Sequence, residues 1–461
     1  MEENKEQEIQ KEVSAEETPQ AEKGETTDSQ SENSQQPEEP KMPEITYQTL
    51  AILMKNLPNG KVKKEYEAEF DVATLKTEKG NSIASAEFEG LQAVGLDYFP
   101  EEKKIKGIPT AAGDHKITIR YKLGDWTDGK PVLLYTFTLI INPDPRVLWN
   151  NTPTPETIEY YKPDSDKAFV QAGDKNMAAA SQRGRSHAHE GNSRDDDFAL
   201  HFDTKTDWYA LVVADGAGSA KFSREGARIA CQTAKEICEA QLSKDGIAEV
   251  LDLAIAEYHK DDSDKNRIEL YQSLHSEVLA KAAWSAFENI VKEAQAKVEP
   301  VKQKEYATTL ILSIAKKFEF GWFVGAWWVG DGGIGIYQKE NNQVEILGEP
   351  DGGEFAGQTR FLTMGEEIFK DRQRTYFKIV KDFTALVLMT DGITDPKFET
   401  DANLKRIEKW NALWEDLNGA NEDGVKVDFT DDNAQAADQL LRWLDFWSKG
   451  NHDDRTIAIL Y

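Results

Sequence analysis

The chain has 461 residues, more than one typical domain holds, so two or three folded units are expected. It is 39% hydrophobic, with 11 Trp available for a large core, and its formal net charge is −28. That charge excludes an ordinary nucleic-acid binder, because phosphate backbones are gripped by clustered Lys and Arg.

Residues 1–42 contain one Ile, one Val and no aromatic side chain. Residues 1–41 carry 13 acidic against 4 basic groups, a net of −9. Such a segment cannot bury enough apolar surface to offset chain entropy, so a disordered acidic tail is expected. It has no apolar run, so no signal peptide is expected. The most apolar stretch, "GWFVGAWWVG", is too short for a bilayer and runs straight into Asp331. Cys231 and Cys238 stand seven apart in a helical pattern, about 10 Å, beyond disulfide reach. They are expected as buried thiols of a reducing compartment, and the protein as cytoplasmic, with neither membrane nor nucleic-acid partner.

From residue 43 to 143 the runs are short and alternating, as in "HKITIRYKL" and "LLYTFTLIIN", with Gly and Pro between them. That spacing predicts an all-β sandwich. The stretch "GLDYFPEEKKIKGIPTAAGDHKITIRY" followed by "FTLIINP" resembles immunoglobulin-like repeats of bacterial proteins, which implies an accessory domain whose ligand is unknown. Residues 144–175, rich in Pro and polar groups, are expected as a linker. Beyond it, in 176–461, strands are expected near 197–203, 208–214, 307–316, 321–330, 333–338, 374–380, 384–390 and 455–461. Helices are expected at 223–242, 246–259, 264–298, 402–418 and 431–448. Long helical insertions between strand pairs predict an α+β fold with helices covering sheets.

Five places in this last region share one design, an apolar β-type run meeting an Asp. They are "RDDDFAL", "WYALVVADGAGSA", "FVGAWWVGDGGIGIY", "FTALVLMTDGITD" and "GNHDDRTIAIL". A single Asp-Gly is a turn. Five in one domain bring carboxylates together, and these repel unless a cation lies between them. An all-oxygen donor set favours Mg²⁺ or Mn²⁺ over zinc.

Region 178–461 resembles the metal-dependent Ser/Thr protein phosphatases of type 2C, and most closely their bacterial branch. The opening motif S-H-x-x-x-G-x-x-x-Q-D corresponds to Ser186–Asp196, and A-D-G-x-G-S-x-x-x-S-x-x-G-A to "ADGAGSAKFSREGA". "YATTLILSI", "VGDGGIGIY", "GEFAGQTRFLT", "MTDGITD" and "HDDRTIAIL" follow in the family's order. The resemblance implies a four-layer α/β/β/α sandwich that hydrolyses phosphoserine and phosphothreonine in phosphoproteins, opposite a cognate Ser/Thr kinase system. It implies two Mn²⁺ or Mg²⁺ ions that activate a water, held by Asp196, Asp215, the Gly216 carbonyl, Asp391 and Asp453. A third, weaker ion would sit among Asp331, Asp391 and Asp395. Asp195 stands where the family has Glu or Gln, and Asp197 is expected either as an acceptor behind the ligands or solvated.

Two departures bear on mechanism. Gly191 occupies the place of a phosphate-gripping Arg, leaving His187, Arg185, Arg194 or Arg183 to substitute. Ala217 replaces the general-acid His of animal members. Two other readings compete, a pseudophosphatase and a phosphoprotein-binding adaptor. The pair His187 and His189 lacks the further His ligands of a zinc hydrolase. Leu440, Leu441, Trp443, Leu444 and Trp447 are expected as core, as are Trp322, Trp327 and Trp328. Lys221 and Ser223 are expected as an N-cap arrangement. "GDGGIG" lies between strands and is not expected to bind a dinucleotide.

Overall fold

The computed structural model describes residues 45–351, 359–370 and 374–461. The expected acidic tail and the "GEFAGQ" part of the flap motif lie outside the described residues. The chain divides into two compact units between Asn142 and Pro143.

The first unit is built of strands. Gly113–Leu123 pairs antiparallel with Val132–Asn142 on one side and Ile83–Glu89 on the other, and Tyr47–Thr49 adds parallel to Val132–Asn142. A separate three-stranded sheet joins Tyr66–Glu69, Lys104–Gly107 and Leu96–Phe99. The two-residue period puts Ile117, Ile119 and Tyr121 on one face, where they are buried with Leu96, Ile105 and Leu139.

The second unit is mixed α and β. One antiparallel sheet has the spatial order Ser165–Val170, Met177–Gln182, Arg455–Leu460, Ala385–Met389, Gly333–Gln338, Gln343–Ile346. The other runs Asp197–Phe202, Tyr209–Ala214, Leu310–Phe318, Gly321–Val329, Thr375–Val380. The strand Tyr209–Ala214 shows how two cores arise from one segment. Tyr209, Leu211 and Val213 join the core that also holds Ile334, Leu386 and Ile457 of the first sheet. Ala210, Val212 and Ala214 join a second core with the helices Ser223–Gln241, Ala248–Lys260, Asp264–Leu274 and Ala280–Ala296. The far face of the first sheet is covered by Ile407–Leu417 and Ala436–Trp443 through Trp410, Leu413, Leu440 and Trp443.

Trp322, Trp327 and Trp328 are all buried, and the Leu440–Trp443 stripe faces the core. Both cysteines are buried free thiols. The expected helix over 264–298 is continuous, but it widens by a π turn at His275–Leu279. "GDGGIG" does join two strands with no helix after it.

Three segments differ from expectation. The span 144–175 contains the strand Ser165–Val170 and the buried residues Thr154 and Lys162. Met177–Gln182 is a strand despite its run of Ala178, Ala179 and Ala180; pairing on both sides outweighs alanine's weak β-propensity. Asp391-Gly392 opens the helix Asp391–Phe398, although no helix is expected between residues 298 and 402.

Candidate metal centre

Strand register assembles the acidic cluster. Asp197 pairs with Ala214, which sets Asp196 beside Asp215 at the end of two neighbouring strands. Met389 pairs with Ile457, and the Thr390 amide donates to the Thr456 carbonyl (3.0 Å), so Asp391 meets the segment holding Asp453 and Asp454. Met389 also pairs with Gly333, which brings the Asp331 turn to the same edge. Such approach needs bare backbone at Gly392, where a Cβ would lie 1.8 Å from the Asp454 carbonyl.

Asp215, Asp331 and Asp391 each present a carboxylate oxygen, and the three oxygens lie within 4.8 Å of one another. Asp453 lies instead within 4.8 Å of His187 and Asp454, and Asp196 and Asp453 are near enough for their charges to act on Asp215. Burial pushes the Asp215 carboxyl well above its usual range, and Asp391, Asp196, Asp453 and Asp331 push it further. Burial also raises Asp391 strongly, helped by Asp331, Asp453, Asp196 and Asp395. Asp196 is pushed up to about 7 by burial, then by Asp454. Asp453, Asp331 and Asp395 are raised as well, by desolvation and then by neighbouring carboxylates, although Asp453 and Asp395 keep an exposed side chain. Asp395 follows Asp391 by four residues on one helix.

This donor set fits a hard divalent cation. Among the described residues, Asp196 Oδ1 and Asp331 Oδ1 are buried oxygens with no hydrogen-bond donor, although their partner oxygens are held by Thr390 and Thr359. Carboxylates held together at a half-buried site, with lone pairs left over, are what Mg²⁺ or Mn²⁺ satisfies.

A layer of neutral and paired groups fixes the ligand strands. Thr390 Oγ1 donates to Asp196 Oδ2 (2.8 Å) and accepts the Thr456 amide (3.0 Å). Thr309 Oγ1 accepts the Asp215 amide (2.9 Å), while Thr308 Oγ1 and the Thr309 amide donate to the Asp215 carbonyl (2.9 and 2.8 Å). Asp454, fully buried, accepts the Gly184 amide (2.6 Å), the Asp195 amide and His187 Nδ1 (3.1 Å). Burial would raise its carboxyl, but His187 and those amides hold it below the usual range. Burial likewise works against a charged His187, yet Asp454 prevails and lifts the imidazole to about 9.

The expected phosphate contacts divide. Arg194 is 1% exposed and donates to Ser181 Oγ and the Asp196 carbonyl, inside the protein. Arg185 donates to Asp445 Oδ1 (2.6 Å) and to the Asp445 and Phe446 carbonyls, which takes its guanidinium away from the aspartates. Arg183 is taken up by Thr154, Asn151, the Asn192 carbonyl and Asp164. Each of these arginines satisfies local oxygens that a surface phosphate would have to displace. His187 differs, because its Nε2 points toward Asp195 at 3.9 Å, next to the ligand cluster. His189 turns elsewhere, its Nδ1 accepting the Asn150 amide.

Two further expectations change. Ser223 is no N-cap; it opens the helix and donates to Asp195 Oδ2 (2.9 Å), while Arg224 Nε donates to Asp195 Oδ1 (3.2 Å). Asp197 is not solvated but pairs with Lys162 at 2.8 Å, both side chains nearly buried. Sequence reasoning gave no role to Asp454, Thr390 or Lys162. Adjacency to ligand motifs could have pointed to the first two; nothing local marks Lys162.

Residues 183–445 match a family model described as Protein phosphatase 2C. No curated protein matches the chain. Similar solved structures include the S. agalactiae serine/threonine phosphatase, 14% identical, covering 64% of this chain and 99% of that one, with a TM-score of 0.34. The Mycobacterium tuberculosis serine/threonine phosphatase PstP/Ppp is 12% identical over 62% of this chain and 97% of its own, TM-score 0.34. The Staphylococcus aureus serine/threonine phosphatase Stp1 is 14% identical over 66% and 98%, TM-score 0.35.

Proposed function

The chain is a protein-serine/threonine phosphatase belonging to the protein phosphatase 2C family, and we propose that it hydrolyses phosphoproteins at a centre of two Mn²⁺ or Mg²⁺ ions. The observation that carries this reading is the meeting of Asp215, Asp331 and Asp391 within 4.8 Å, with Asp196 and Asp453 around them. When bound, such ions would acidify a water nucleophile and offset charge on the phosphoryl oxygens.

The chain's own residues have distinct tasks. Two such ions would be held by Asp196, Asp215, the Gly216 carbonyl, Asp391 and Asp453, and a weaker third by Asp331, Asp391 and Asp395. Asp454 orients His187, whose cationic ring faces the site where Gly191 leaves out an arginine. His187 is therefore the phosphate contact, in place of Arg185 and Arg194. Ala217 supplies no proton, so the leaving serine or threonine oxygen takes one from solvent.

The same reading assigns the second unit a four-layer α/β/β/α sandwich, the first an immunoglobulin-like accessory role, and the protein a cytoplasmic place opposite a Ser/Thr kinase. No helix among the described residues is long and apolar enough to cross a membrane. The test is phosphate release from a phosphoserine or phosphothreonine peptide with and without Mn²⁺. Manganese-dependent release abolished by Asp215→Asn is expected. Saturable peptide binding with no phosphate released would replace this reading with a pseudophosphatase.

A further inference from the structure

Lys162 lies in the span expected as a linker and outside the 183–445 region matched by the family. Yet its side chain is only 8% exposed. Its ammonium donates to the Asp196 main-chain carbonyl (2.5 Å), pairs with Asp197 Oδ2 (2.8 Å) and reaches the Arg224 carbonyl (3.5 Å). A buried lysine is uncommon unless paired, and here its partners are the first ligand residue and the residue after it.

The chain before Lys162 is anchored as if to deliver it. Tyr160 adopts φ 57°, a left-handed conformation seldom used by a bulky residue. Its hydroxyl donates to Glu293 (2.6 Å) and meets the Tyr306 hydroxyl (3.1 Å), and its ring packs on Phe222. Upstream, Thr154 Oγ1 donates to the Asn192 carbonyl (3.0 Å). Downstream, the Pro163 carbonyl accepts Arg194 Nε (3.4 Å). Arg194 Nη1 then donates to the same Asp196 carbonyl (2.8 Å) that Lys162 holds. Two cations thus grip the backbone of a residue whose Oδ2 is held by Thr390 and whose Oδ1 is left for a ligand.

We propose that Lys162 is a positioning residue of the metal centre, and that residues 150–164 form a strap that belongs to the catalytic unit. This rests on the reading of Asp196 as a metal ligand. By fixing the Asp196 carbonyl, the lysine sets the direction of its carboxylate toward Asp215. Its pairing with Asp197 offsets part of the cost of burying the ammonium.

The test separates positioning from mere folding, using the full chain. Asp197→Asn removes the ion pair but leaves Lys162 donating to Asp196. Lys162→Met with Asp197→Asn removes both charges together, so neither stays buried without a partner. Mn²⁺ affinity is read by calorimetric titration, and thermal unfolding in chelator reads the fold. Groups that orient a ligand typically change metal affinity by about 10- to 100-fold. The double variant should lose Mn²⁺ affinity by that factor, while Asp197→Asn stays within about threefold of the wild type. The double variant should melt in chelator no lower than Asp197→Asn. Equal Mn²⁺ affinity in the two variants would overturn the proposal. So would a double variant that does not fold where Asp197→Asn does, which would make the lysine a folding residue. Wild-type protein that binds no Mn²⁺ would refute the metal centre itself, and this inference with it.

Discussion

Removing divalent cations should make the stability of this protein fall as pH rises, the reverse of the usual behaviour of carboxylates in salt bridges. Six aspartates, Asp196, Asp215, Asp331, Asp391, Asp395 and Asp453, have their carboxyls raised by desolvation and by neighbouring carboxylates. A group that holds its proton more tightly folded than unfolded contributes stability that is whole below its unfolded pKa and is lost as pH rises from there through its folded pKa. Asp196 moves from 3.8 to about 7, so it keeps an extra proton across about three pH units. At about 1.4 kcal/mol per unit, this one group accounts for at most about 4 kcal/mol, although the cluster titrates as a unit. His187, raised to about 9, acts in the same direction above pH 6.5. His201 and His452, lowered by burial, act oppositely below it, and two partial terms do not outweigh the carboxylates. Chelator-treated protein should lose about 3 kcal/mol between pH 5 and 7, a fall in Tm of about 4–5 °C for a unit of this size. Saturating Mn²⁺ should flatten or reverse the slope, because the cation competes with those protons. The assay is thermal unfolding at constant ionic strength across pH 5–8, with chelator or with Mn²⁺. A metal-free Tm that is flat or rises between pH 5 and 7 would show that the carboxylates are not forced together.

Three other outcomes follow from the same geometry. Asp215→Asn should slow phosphate release by about 10³-fold, several kcal/mol of charge stabilisation being lost, while the metal-free protein melts no lower than wild type because a repelling charge is gone. Gly392→Ala, which places a methyl 1.8 Å from the Asp454 carbonyl, should cost about 1–3 kcal/mol in urea unfolding; an unchanged midpoint would mean the helix start can move. Arg185→Ala should leave the KM for a phosphopeptide within about twofold, since Asp445 and Phe446 already occupy its guanidinium; a large rise in KM would return Arg185 to the phosphate site.

What the sequence disclosed and what it hid have a common physical origin. Strands such as Tyr209–Ala214 and Gly321–Val329 announce themselves because each residue buries apolar surface, whichever face it takes. The clustered aspartates are legible for a related reason. An acidic residue fixed at the end of an apolar run has no structural reward of its own, so several of them together ask for a cation. The strand Met177–Gln182 gives no such sign, because its alanines become strand only once Ser165–Val170 and Arg455–Leu460 lie on either side. The supporting charges are harder still. Arg185, Arg194 and Lys162 look alike in sequence, as isolated cations near a motif or in a polar stretch, yet Arg185 ends on Asp445 and Phe446 whereas Arg194 and Lys162 both end on the Asp196 carbonyl. Which oxygen a long cation reaches is decided by tertiary placement over many residues, as with Lys162 and Asp196, 34 apart. The acidic half of the centre is therefore written in local pattern, whereas the basic half that holds it in place exists only once the chain has folded.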